Sequence, residues 1–254
     1  MLLAIDVGNT QTAVGVFDDA ELVHQWRLSS VRERTKDEFQ VLVRGLLEPA
    51  GYSKDDFEGA AISSVVPAVT MALQPALEDL IDAAVMVVGP GLDTGLAVLI
   101  DNPAEVGADR VVNSVAALEK YGAPVLVVDF GTATTFDVVN PDGAYVGGAI
   151  APGLEVSMDA LITATAALRR VDLVEPRSVV GKSTVEAIQS GLLYGYAGLV
   201  DGIVRRIFAD VGSMPTVATG GIAPTMAPLC ETVDHLDSAL TLDGLRLLFD
   251  RSKE

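Results

Sequence analysis

Two short stretches carry residue types from which a site for phosphate and cations can be made. Residues 2–10 read LLAIDVGNT and residues 125–134 read VLVVDFGTAT. Each apolar run stops at an acid, Asp6 or Asp129, with a glycine two places on and small polar residues after it. Glycine lets the backbone approach a ligand in conformations that other residues avoid. Asn9, Thr10, Gln11 and Thr12 add side-chain donors to exposed N–H groups, which suits phosphate oxygens. A carboxylate at a strand end can hold a cation or the water around it. Alone, either stretch reads as a hairpin whose Asp and Thr satisfy turn backbone. The constant offset of 123 pairs Asp6, Gly8 and Thr12 with Asp129, Gly131 and Thr135, and favours a duplicated phosphate clamp. A strand follows each acid, whereas a Walker loop or a dinucleotide fingerprint leads into a helix.

A second candidate lies in DNPAEVGADRVVN, residues 101–113. Gly107 falls near a helix start, with Asp109 and Arg110 adjacent in the first turns. A carboxylate beside an arginine is expected to have a depressed pKa and stay ionised. It could accept a proton from a substrate hydroxyl, while Arg110 or the helix N-terminus holds an anionic group. On these residues alone, an exposed surface ion pair is the better account of the pattern.

Residues 181–207 open with Ser183 and Glu186 at capping-box spacing around Thr184. An apolar stripe through Ile188, Leu192, Tyr196 and Leu199 follows, together with Gly191, Gly195, Gly198 and Gly202. Each glycine costs a helix about 1 kcal/mol relative to alanine, so close packing of another helix is expected on that face. The pattern leaves open whether that helix comes from the same chain or from a second subunit. Thr219-Gly220-Gly221 ends a short strand, and fits either the approach of a flat ligand or an ordinary tight turn.

The elements that must position these residues recur in one order. Strands are expected at 2–6, 12–18 and 22–28 as a meander, then a helix at 35–48. A strand at 59–67, a helix at 68–82, a strand at 84–88 and a helix at 105–122 complete the first half. The second half repeats the meander at 124–129, 133–140 and 144–151, with NPDG as the turn between its last two strands. Helices near 155–167, 183–209 and 241–251 and a strand at 216–219 follow. The expected division is 1–117 and 118–254, both α/β.

Composition narrows the function classes. The chain has 254 residues, 50% of them apolar, with 17 Lys and Arg against 35 Asp and Glu, a formal charge of −18. Such a surface repels phosphate backbones and anionic lipid, so no nucleic-acid or membrane partner is expected. It also repels a nucleotide at long range, so any phosphate site must be assembled locally from N–H groups, a few basic side chains and cations. No apolar run is long enough to cross a bilayer. The opening MLLAIDVGNT has no basic region ahead of Asp6, unlike a secretory leader. A single Cys230 fits a reducing compartment, and a cytoplasmic location is expected. His24 and His235 have no partners at zinc-ligand spacing.

Taken together, DVGNT, ISSVVP, DNPAEVGADR, DFGTATTFDVV, GGAIAPG, KSTVEAIQSG, VDGIVRR and ATGG resemble the type III pantothenate kinase family along nearly the whole chain. That family belongs to the superfamily of actin, sugar and acetate kinases and heat-shock chaperones. The resemblance implies a duplicated ribonuclease H-like fold and transfer of phosphate from ATP to the hydroxyl of pantothenate, the first step of coenzyme A biosynthesis. By similarity, Asp6, Val7, Gly8, Asn9, Thr10, Gln11, Thr12, Ala13 and Thr132 would hold ATP. Gly107, Ala108, Asp109, Arg110 and Thr184 would hold pantothenate, with Asp109 as general base. Asp129 would bind potassium or ammonium, magnesium would arrive with ATP, and a homodimer would complete each active site. The chain departs from the family at Ile100, where many members carry tyrosine, and at Gln11, where asparagine is frequent. A kinase for another small hydroxy acid or sugar, or a non-catalytic nucleotide-binding regulator, would share the duplicated clamp. The pairing of Asp109 with Arg110 argues against the regulator, which needs no base.

Overall fold

The first strand is an alternation problem solved on two faces. In β1 (Leu2–Val7), Leu3, Ile5 and Val7 point to one side of the sheet, and Leu2, Ala4 and Asp6 to the other. β1 pairs antiparallel with β2 (Gln11–Asp18), which pairs antiparallel with β3 (Glu21–Ser29). After α1 (Lys36–Leu47), β4 (Gly59–Ser64) lies parallel to β1. α2 (Pro67–Ile81) then leads to β5 (Ala84–Val87), parallel to β4. The strand order is β3-β2-β1-β4-β5. Leu3, Ile5 and Val7 share a core with Phe39 and Val43 of α1 and Leu73 of α2. Thr35 starts α1 with a full capping box: its N–H donates to Glu38 Oε2 at 2.7 Å, and Glu38 N–H donates to Thr35 Oγ1 at 3.4 Å.

This computed structural model describes residues 1–253, and its second sheet repeats the plan of the first. After α3 (Ala108–Tyr121) come β6 (Val125–Phe130), β7 (Ala133–Val139) and β8 (Tyr145–Pro152) as an antiparallel meander. α4 (Leu154–Thr163) and α5 (Thr184–Val211) precede β9 (Thr216–Thr219), which is parallel to β6. α6 (Ala223–Met226), β10 (His235–Leu236) and α7 (Leu240–Arg251) complete the chain. The order β10-β9-β6-β7-β8 matches the first sheet strand for strand. β10 was not foreseen, because its two exposed residues in a polar stretch carry no alternation.

The two units do not divide at one point in the sequence. Residues Met1–Leu96, Asp101–Ala116 and those from Ala239 onward form one unit, and Ala97–Ile100 with Ala117–Ser238 form the other. This division passes through α3 between Ala116 and Ala117 and places the C-terminal helix with the first unit, whereas the sequence suggested a single split at 117/118. α7 belongs with the first sheet because that sheet has glycines where the helix lands. A Cβ on Gly15 would lie 2.9 Å from Leu242 Cδ1, and one on Gly59 would lie 2.3 Å from Phe249 Cζ. In the second unit, Ala97–Ile100 lies along β8: Tyr145 N–H donates to Ala97 O and Leu99 N–H to Tyr145 O, each at 2.8 Å.

Candidate active site

In the first unit, Asp6 is the penultimate residue of β1, in register with Ala13 of β2 and Ser63 of β4. It therefore points to the face that carries Gly15, Gly59 and α7. α3 packs against α7: Thr241 Oγ1 bonds Asn113 Oδ1 at 2.7 Å, and a Cβ on Gly244 would lie 2.3 Å from Val112 O. Gly107 immediately precedes α3, and Ala108, Asp109 and Arg110 form its first turn. A Cβ on Gly107 would lie 2.5 Å from Asp109 Oδ1 and 3.7 Å from Val65 Cγ1. Gly107 thus leaves room for the Asp109 carboxylate and sets it beside the loop that follows β4. Carboxyl ends of parallel strands are where open α/β sheets bind ligands.

The turn after β1 is held by a residue that sequence reasoning missed. Gly8 N–H donates to Gln11 O at 3.0 Å, and Ser30 N–H donates to Thr10 O at 2.9 Å. Ser30 Oγ donates to Gly8 O at 2.7 Å and lies 2.8 Å from Thr12 Oγ1. With the single Ser30 proton committed to Gly8, Thr12 is the donor to Ser30. Thr12 therefore spends its proton inside the protein and presents no free donor to a ligand. Asn9 Oδ1 accepts from Arg32 Nη2 at 3.2 Å. Val7 is fully buried in the core, so only its backbone can reach a ligand, whereas Asn9, Thr10 and Gln11 are exposed and Ala13 is half-buried. Ser30 could have been suspected only from a hydroxyl at the end of the third meander strand, which is a common and weak signal.

Asp109 differs from expectation in its electrostatics. Burial raises its pKa above the ordinary aspartate value; the Arg110 N–H, which donates to Oδ1 at 2.8 Å, and the Arg110 charge offset only part of that rise. The anticipated depressed pKa is therefore wrong in direction: desolvation outweighs the neighbouring cation. A carboxylate tuned upward is a stronger base near neutral pH.

In the second unit, Asp129 is the penultimate residue of β6, between Thr135 of β7 and Thr219 of β9. Gly220 has φ +98°, and a Cβ there would lie 2.4 Å from Asp129 Oδ1 and 2.7 Å from Phe130 N. The glycine after β9 thus makes room for a carboxylate of its own chain. Gly153 does the same for the turn at Gly131 and Thr132: its N–H donates to Thr132 O at 3.0 Å, and a Cβ would lie 2.3 Å from that oxygen. Thr132 itself is exposed.

The two hairpins match at their acids and glycines but not at the expected threonine. Val7 pairs with Thr12, whereas Phe130 pairs with Thr134, so the second turn is one residue shorter. Thr134 is the counterpart of Thr12, and Thr135 that of Ala13. A constant offset cannot register a deletion inside the repeat.

Thr184 is the exposed first residue of α5. The capping box before it is half formed. Glu186 N–H donates to Ser183 Oγ at 3.2 Å, but the Glu186 carboxylate takes the Lys182 N–H at 3.0 Å and Arg177 Nε at 2.6 Å. Ile100 Cγ2 lies 3.6 Å from the position of a Cβ on Gly147, in the second unit. Cys230 is buried, and burial together with Asp201 pushes its thiol pKa up to about 12, which leaves it unreactive. Among the described residues no helix is long and apolar enough to cross a membrane.

Comparison with known proteins gives one consistent family. The pattern of the type III pantothenate kinases matches residues 2–206. The type III pantothenate kinase of Syntrophus aciditrophicus is 49% identical over 253 residues, 99% of this chain and 100% of that one. Among solved structures, component A of (R)-2-hydroxyglutaryl-CoA dehydratase from Acidaminococcus fermentans superposes with TM-score 0.60 at 15% identity, covering 100% of this chain and 99% of that one. The ROK hexokinase from Thermus thermophilus gives 0.53 at 16% identity, covering 99% of each chain. These two likenesses speak to the fold, the duplicated ribonuclease H-like architecture, and not to the reaction.

Proposed function

The chain belongs to the type III pantothenate kinase family, and we propose from that premise that it transfers the terminal phosphoryl group of ATP to the hydroxyl of pantothenate, opening coenzyme A biosynthesis. The observation that carries the reading is the Asp109 carboxylate, given room by Gly107, bound by the Arg110 N–H and raised in pKa by burial. Phosphoryl transfer asks a protein mainly for positioning, charge neutralisation and one group to receive the hydroxyl proton. In this reading Asp109 Oδ2 takes that proton as the hydroxyl oxygen attacks phosphorus, while Oδ1 stays anchored to the Arg110 N–H. Arg110 and the first turn of α3 hold the pantothenate carboxylate, and Thr184 adds a contact. The turns at Gly8–Gln11 and Gly131–Thr132 offer N–H groups and small side chains to the ATP phosphates.

Cations fit the two acidic strand ends. Gly220 reserves space for the Asp129 carboxylate, a hard oxygen ligand suited to potassium or ammonium. Asp6 offers a single carboxylate, which suits magnesium carried in by ATP with most of its waters. When bound, these ions neutralise phosphate charge that a protein of formal charge −18 would otherwise repel.

A homodimer accords with α5. Among the described residues nothing lies within 4 Å of a Cβ placed on Gly191, Gly195 or Gly198, which leaves that face of α5 open for close packing. A second copy supplies the close packing that four glycines in one helix call for.

The test is a coupled ADP assay with pantothenate and a small panel of other hydroxy acids and sugars, run in potassium, ammonium or sodium. Turnover that needs pantothenate and potassium or ammonium is the expected result. Turnover with a sugar instead would replace the acceptor, and no turnover at all would refute the kinase.

A further inference from the structure

Each hairpin is anchored by the same kind of hydrogen-bond relay, made of different residues. In the first unit Thr12 donates to Ser30 Oγ, which donates to Gly8 O of the turn. In the second, Thr134, the structural counterpart of Thr12, lies 2.8 Å from the Tyr196 hydroxyl, and Tyr196 donates to Pro152 O. A phenol has one proton and a proline carbonyl can only accept, so Thr134 is the donor to Tyr196. Both relays run from an inward threonine, through a second hydroxyl, to a main-chain carbonyl.

The second relay acts on the Gly131–Thr132 turn through the backbone. Ala133 pairs with Pro152 at the end of the β7–β8 ladder nearest that turn. The residue after Pro152, Gly153, donates its N–H to Thr132 O and packs so closely on Gly131 O and Thr132 O that no Cβ fits. The order of contact is therefore Tyr196, Pro152, Gly153, Thr132. Tyr196 is buried on α5 and shares the core with Phe130, Phe136 and Leu193, so the phenol sits on a rigid support.

We propose that Tyr196 is a positioning residue for the nucleotide, and that its hydroxyl fixes the Pro152 carbonyl and through Gly153 sets the Gly131–Thr132 turn in its phosphate-binding form. This rests on the reading of that turn as part of the ATP site. A purely structural phenol would matter for stability and leave ligand affinity alone.

The test is calorimetric titration of the full chain with a non-hydrolysable ATP analogue and magnesium, and separately with pantothenate, alongside thermal melts. Tyr196→Phe and Thr134→Val break the relay from either side. Leu193→Ala makes a hole in the same core without touching the relay, and Gly153→Ala drives a methyl into the turn carbonyls. We expect Tyr196→Phe to weaken the analogue about tenfold, the effect of one lost buried hydrogen bond on a ligand contact. Thr134→Val should do the same, pantothenate affinity should stay at the wild-type value, and Leu193→Ala should lower Tm without changing the analogue's Kd. If Gly153→Ala weakens the analogue while folded Tyr196→Phe and Thr134→Val do not, the positioning role is overturned alone. If Gly153→Ala also binds as wild type, the turn is no nucleotide contact, and the ATP reading of Thr132 falls with the proposal.

Discussion

In the proposed reaction Asp109 receives a proton near neutral pH, and the direction of its pKa suits that role. Burial raises its pKa, and Arg110 partly counters the rise. Because only the ionised carboxylate is a base, turnover should fall as pH drops through this raised pKa, at a higher pH than the ordinary aspartate value of about 3.9 allows. Arg110→Ala should move that acid limb of kcat/KM to still higher pH, since it removes a charge that favours the carboxylate. Asp109→Asn should keep nucleotide binding and lose a factor of about 10² to 10⁴ in kcat, together with the limb. An acid limb unchanged in the asparagine variant would take Asp109 out of the reaction. GADR singled this residue out as a candidate, but the direction of its pKa was not legible there. Adjacency to arginine is visible in a sequence, whereas the depth of a helix start beneath a neighbouring loop is a property of the fold. Ser30 shows the same limit, since its bonds to Gly8 and Thr12 join residues separated by a whole strand.

At the scale of elements, glycines mark where one backbone or side chain needs the space of another. Gly220 shows a use that its sequence did not reveal: the glycine after β9 was open to reading as room for a flat ligand or as a tight turn, and its missing side chain leaves space for the Asp129 carboxylate. Its φ of +98° adds strain to any replacement. Gly220→Ala should displace Asp129 and raise the potassium concentration needed for half-maximal activity, with little change in KM for pantothenate. An unchanged potassium curve in a folded variant would separate Asp129 from the cation. The meander strands and α5 were readable because alternation and helical periodicity persist over many residues. The shortened second turn was not, because Asp129, Gly131 and Thr135 keep the spacing of Asp6, Gly8 and Thr12 while the pairing shifts to Thr134. β10 escaped for want of length.

For the molecule as a whole, duplication was legible in two acidic strand ends and one repeated element order, and the sheets match strand for strand. Which sheet the last helix would join was not legible. The apolar stripe of α7 states that a face must be covered, while Gly15 and Gly59, far away in sequence, decide which face. The glycine face of α5 leads to a prediction about assembly. Gly195→Leu with Gly198→Leu adds bulk at positions where, among the described residues, nothing lies within 4 Å of a Cβ, so the fold should survive and the dimer should not. Sedimentation should show wild type as a dimer and the variant as a monomer of low activity; a monomeric, fully active wild type would contradict that reading. The central claim, transfer of a phosphoryl group to pantothenate, is tested most directly by the identity of the product. Phosphorus NMR of the protein with ATP, magnesium, potassium and pantothenate should show a new phosphomonoester that grows in step with ADP and is missing with Asp109→Asn. ADP accompanied only by inorganic phosphate, with pantothenate unaltered, would contradict the account.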